Sequence, residues 1–106
     1  MENNYRGDTF NRSYSVIIDG KKHVFSSGEK IKVAFCLYEN KRFLEKEVEA
    51  TDGSDEINIT WSAEEMATLK IGDYILEAEV TTKDFVKTHQ EKVRIDLDFI
   101  TGEKNG

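Results

Sequence analysis

The chain has 106 residues, a length that suits one domain with a single hydrophobic core. Apolar residues make up 38% and the formal net charge is −6, an excess of the wrong sign for a nucleic-acid phosphate backbone or an anionic membrane. Cys36 is the one cysteine, which excludes an internal disulfide, and the longest apolar run, the six residues Val33–Tyr38, falls far short of the roughly 20 that a membrane helix needs.

Residues 1–7 are polar apart from the aromatic ring of Tyr5, and they read as a loose arm. They lack a basic stretch followed by an apolar one, so no signal peptide is expected. Phe10, Tyr14, Val16 and Ile18 fall at even spacing, which predicts a strand over about 13–19. Asp19-Gly20 is a tight-turn signal, because glycine tolerates positive φ and aspartate bonds its own backbone. A short strand is expected at His23–Ser26, then a loop at Ser26–Glu29.

The strongest period of two runs over Lys30–Glu39, with Ile31, Val33, Phe35 and Leu37 on one face. A short polar link at Glu39–Arg42 leads to a second strand over Phe43–Ala50, with Leu44 and Val48 inward and Glu45, Glu47 and Glu49 outward. A turn at Thr51–Asp55 precedes a strand with Ile57, Ile59 and Trp61 on one side. Ser62-Ala63-Glu64-Glu65 fits a capping box and predicts a helix over about 63–70, packed through Met66 and Leu69 and ended by Gly72. Two final strands follow, one with Tyr74, Leu76, Ala78 and Val80 inward, the other with Val93, Ile95, Leu97 and Phe99 inward. The turn near Lys83-Asp84 makes them antiparallel, and 101–106 is a polar tail.

Six or seven short strands with a turn about every ten residues predict one all-β domain over 1–106, a two-sheet antiparallel sandwich with one short helix. A small closed barrel gives the same local pattern. Proline is absent, so exposed strand edges must be guarded by other means, and lysine is plentiful.

No group of residues spells a reaction. His23, His89 and Cys36 are too scattered for a zinc site. Asp52, Ser54 and Glu56 alternate like the start of a calcium loop, but Ile57 stands where the bend needs glycine. The ladders Glu45/Glu47/Glu49 and Glu77/Glu79 read as solvated strand faces rather than paired catalytic carboxylates. No catalytic residue, metal or cofactor is therefore expected. One face changes character midway. The outward set Lys30, Lys32, Ala34, Cys36, Tyr38 begins charged and ends apolar, which predicts a cover over Ala34, Cys36 and Tyr38. The N-terminal arm, the 63–70 helix or another chain are the candidate covers, and the last would make these three residues a protein interface.

Several segments together resemble the N-terminal domain of phage baseplate upper proteins and related prophage modules. They are Arg6-Gly7-Asp8-Thr9, Lys30-Ile31-Lys32-Val33-Ala34-Phe35, Ile57-Asn58-Ile59-Thr60, the helix with Glu64-Glu65, and Gly72-Asp73-Tyr74-Ile75-Leu76-Glu77-Ala78-Glu79-Val80. The resemblance implies an immunoglobulin-like sandwich that serves as a structural connector in a virion tail or baseplate. It also implies protein partners, homo-oligomers included, and no catalysis. Such a chain is made in the bacterial cytoplasm and ends in the virion. The alternative expectation is a carbohydrate- or small-ligand-binding β-sandwich.

Overall fold

The structure is a computed structural model and describes residues 3–5, 7–38 and 40–96. Among these the regular secondary structure is almost wholly β. Strands β5 (Lys30–Tyr38), β6 (Lys41–Glu49), β8 (Gly72–Thr81) and β9 (Val86–Asp96) join β1 (Asn3–Tyr5) in a five-stranded sheet of order β1-β9-β8-β5-β6. β2 (Phe10–Tyr14) pairs with β7 (Ile57–Trp61), and β3 (Ile17–Ile18) with β4 (Lys21–Lys22). The one helix among the described residues, α1, is a single turn over Ala63–Met66.

The period-two reading places the core. Ile31, Val33 and Phe35 of β5, Tyr74, Leu76, Ala78 and Val80 of β8, and Val93 and Ile95 of β9 are all buried in one cluster. Phe10 of β2 and Ile57, Ile59 and Trp61 of β7 close the same cluster from the other side. The Phe10, Phe35 and Trp61 rings meet pairwise edge to face at 5.2–5.6 Å, so the β2–β7 pair lies on the inner face of the large sheet. The expected inward positions Leu97 and Phe99 and the tail 101–106 lie outside the described residues.

Five expectations are corrected. Asn3–Tyr5, within the arm read as loose, forms β1 and pairs in parallel with Arg94–Asp96, so the sheet is mixed rather than antiparallel throughout. The strand expected over 13–19 breaks at Ser15–Val16, where the Ser15 hydroxyl donates to the Asp55 carbonyl at 3.0 Å and the chain leaves β7. It then forms the β3–β4 hairpin, whose Asp19-Gly20 turn has both φ values positive, 52° and 78°. The strand expected at His23–Ser26 is irregular, because Phe25 bonds the 51–54 loop through its N–H to Ser54 and its carbonyl to Gly53.

The helix is shorter than the predicted 63–70. Its capping box forms in full, with Ser62 Oγ accepting from the Glu65 amide and the Glu65 carboxylate accepting from the Ser62 amide. Beyond Met66 the chain continues in turns that still bury Leu69, and Gly72 opens β8 rather than ending the helix.

Leu37 is the fifth correction. It was expected inward but is 46% exposed. The β5–β6 ladder shifts register twice, between Val33 and Phe35 and between Cys36 and Tyr38. The second shift makes Leu37 an extra, unpaired residue, and a one-residue slip turns a side chain to the other face. The first shift sits opposite Leu44, whose φ of 53° marks the bulge on β6.

Candidate functional site

The outer face of β5 carries the three residues singled out by the sequence, and the strand order decides what covers them. β5 lies between β6 and β8. Ala34 stands opposite Glu77 of β8, and Cys36 stands between Arg42 of β6 and Ile75 of β8. Arg42 Nη1 meets Glu77 Oε1 at 2.6 Å, so the ion pair joins β6 to β8 over the top of the intervening strand. Arg42 Nε also donates to Glu45 at 3.1 Å, and Gln90 donates to the other Glu77 oxygen at 3.0 Å. Ala34 and Cys36 are buried, Cys36 to 7% exposure, beneath this network. Neither the N-terminal arm nor the helix supplies these links.

Tyr38 is different. It is 59% exposed, where β5 runs out toward the turn into β6. Leu37 and Phe43 are exposed at the same end of the sheet, Phe43 with its ring 6.2 Å from that of Tyr74. Ile71, just ahead of β8, adds a fourth exposed apolar side chain. A shallow cavity of about 260 Å³ runs between Cys36, Tyr38, Arg42, Ile75, Glu77 and Gln90. The structure thus splits the predicted trio into two roofed residues and one that is exposed, at the end of the sheet where Leu37, Phe43 and Ile71 are exposed as well.

The electrostatics of this face suit structure better than reaction. Burial pushes the Cys36 thiol above its ordinary range, and of its charged neighbours Arg42 opposes that shift while Glu77 and Glu45 add to it. The hydrogen bond from Arg42, then that from Gln90, holds Glu77 below the usual carboxylate range. A neutral thiol under a satisfied ion pair lacks the thiolate character that nucleophilic cysteines need.

The remaining candidates fall into place one by one. His23 and His89 lie apart. His23 Nε2 is 3.0 Å from Glu29 Oε1, with its ring edge-on to Phe25 and Phe85, while His89 is exposed on β9. Among the described residues no group of three or more His, Cys, Asp and Glu side chains is arranged to hold a metal ion. Asp52 accepts from the Ser27 amide, and the Ser54 hydroxyl is bonded to the backbone of Glu56, so both serve the turn. Glu45 and Glu47 face Lys32 and Lys30 on the neighbouring strand. Trp61 is fully buried and donates its indole N–H to the Leu44 carbonyl at 2.7 Å.

Two features escaped the sequence reading. Glu29, taken as a loop residue, is buried and accepts from the Ser26 amide as well as facing His23. A groove of about 530 Å³ separates β2 and β3 from β9, with Tyr14 on one wall. The alternation that marked Tyr14 as inward was the available signal for it, but the groove itself depends on which strands end up apart.

No helix among the described residues is long and apolar enough to cross a membrane. No protein-family model, curated protein or solved structure matches the chain.

Proposed function

We propose that this chain is a non-catalytic structural or adaptor module that works through protein–protein contacts, in the manner of a phage tail or baseplate component. The observation that carries the reading is the exposed apolar group Leu37, Tyr38, Phe43 and Ile71 at one end of a sheet whose core is otherwise well buried. Exposed large apolar side chains gathered at one end of a sheet mark contact surfaces more often than accidents of packing.

We further propose that the fold is an immunoglobulin-like sandwich, a reading that the strand order supports. With β9, β8, β5 and β6 taken as strands G, F, C and C′, the large sheet has the order of a variable-type layer. β2 and β7 then stand as neighbouring strands B and E of the facing layer. In this reading the module is made in the bacterial cytoplasm and built into the virion, and its partners are other structural proteins or further copies of itself.

The test begins with the genes on either side of the one that encodes this chain. The reading expects tail or baseplate genes there, and expects at least one of their products to co-purify with the chain when the set is co-expressed. Flanking genes of unrelated metabolism, together with a chain that turns over a small molecule, would end it.

A further inference from the structure

We propose that the groove between β2 and β9 takes an extended acidic segment of a partner protein, which adds to β9 as a further strand. The inference goes beyond the contact surface at the Tyr38 end and does not depend on it.

The first ground is an incomplete sheet. β8 pairs with β9 along the whole of Val86–Ile95, but on the opposite edge β1 covers only Arg94–Asp96. Among the described residues no strand lies against the outer edge of Val86–Gln90, so its backbone donors and acceptors are free for another strand. At about 3.4 Å per residue this edge offers about 17 Å, the length of an average strand. β2 is likewise paired on one side only, with β7.

The second ground is the groove's make-up. Successive inward positions of β9 read Ile95, Val93, Glu91, His89, Lys87. The first two are buried, the last two exposed, because the β2–β7 layer does not extend over them. The floor is Ala78 and Val80, and Val16 lines the facing wall. One end is closed by Arg12 of β2, which grips Glu91 with both Nε and Nη2 at 3.0 and 2.8 Å. The Tyr14 hydroxyl is buried in the wall and has no hydrogen-bond partner among the described residues. Burial, reinforced by Glu91, pushes that phenol up to about 12, so it stays a donor.

The third ground is charge. Lys87 and His89 face the groove with no ion-pair partner among the described residues, and the nearby Glu91 is taken by Arg12. Lys22, paired across the hairpin from the groove residue Ile17, adds an exposed cation beside it. In a chain of net charge −6 this is a local basic rim over an apolar floor, and it selects acidic residues alternating with apolar ones.

The test uses the whole chain and a ten-residue fluorescent peptide of alternating valine and glutamate. The free protein is expected to exchange the outward amides of Val86–Gln90 rapidly. Protection of those amides before any peptide is added means the edge is already occupied, by this chain or a second copy, and overturns the proposal. On titration, amide shifts are expected along Val86–Gln90 and at Tyr14. Absence of shifts there at saturating peptide overturns it. Two peptide versions, N-methylated on one edge or the other, separate strand addition from mere charge attraction: one must fail and the other bind, and equal binding refutes the idea. The valine–lysine counterpart must bind worse. Lys87→Glu with His89→Glu, both on exposed positions, is expected to weaken binding roughly tenfold, because one cation is lost and two carboxylates are placed beside an acidic peptide. None of these measurements touches Leu37 or Tyr38, so failure here leaves the adaptor reading standing.

Discussion

Arg42 and Glu77 meet at 2.6 Å across the back of β5 and roof Cys36, although neither belongs to the strand they cover. Removing either half opens the roof. Arg42→Ala is expected to cost about 0.5–1 kcal/mol, the range for a partly exposed pair. It is also expected to raise the rate at which a thiol reagent labels Cys36 in the folded protein roughly two- to fivefold, the factor such an energy gives. The check is labelling kinetics under native conditions. An unchanged rate would place the cover elsewhere.

Trp61 joins the two layers with a polar bond as well as with its ring. Its indole N–H is the donor to the Leu44 carbonyl, at the bulge where β6 has positive φ. Trp61→Phe keeps most of the apolar volume but orphans that carbonyl, so a loss of about 1–3 kcal/mol is expected. Because Trp61 is the one tryptophan, the urea midpoint must be followed by circular dichroism rather than fluorescence. A change within a few tenths of a kcal/mol would show that the bond adds little.

Acid should unfold this protein through its paired carboxylates. Glu29 is held below the usual glutamate range first by the hydrogen bond with His23 and next by the Ser26 amide. Glu47, Glu65 and Glu77 shift the same way, led by Lys30, Lys46 and Arg42 respectively. A carboxylate whose folded pKa lies below its unfolded value stabilises fully above the unfolded value of about 4.5, and the contribution fades as pH falls through the folded one. Glu29→Gln should therefore lower stability at neutral pH, and its deficit against wild type should shrink from about pH 5 to about pH 3. Urea midpoints at those pH values decide the matter, since a deficit independent of pH would mean the Glu29 charge is not what matters.

How much of this was legible beforehand depends on the range of the interaction. Ile31, Val33 and Phe35 were readable because burial of one face follows directly from side-chain alternation. The Ser62–Glu65 capping box was readable because all its atoms lie within four residues. Leu37 was misread because a bulge is set by the pairing of two strands and leaves no trace in the alternation of one. Asn3–Tyr5 was read as an arm because its partner, Arg94–Asp96, is some ninety residues away. The same limit applied to the candidate face. Its apolar half was visible at Ala34 and Cys36, but the roof needs β6 and β8 on either side of β5, and strand order is not written in any local pattern.

The central claim is that this chain acts by contact, through the apolar end around Leu37, Tyr38 and Phe43. The most direct measurement is light scattering of the chain co-expressed with the products of its neighbouring genes, as wild type and as the Leu37→Glu, Tyr38→Glu double variant. The account predicts a complex with the wild type that the variant loses, while its melting temperature stays within a few degrees because both side chains are exposed. A wild-type chain that remains monomeric with every neighbour, or a variant that assembles as the wild type does, would contradict it.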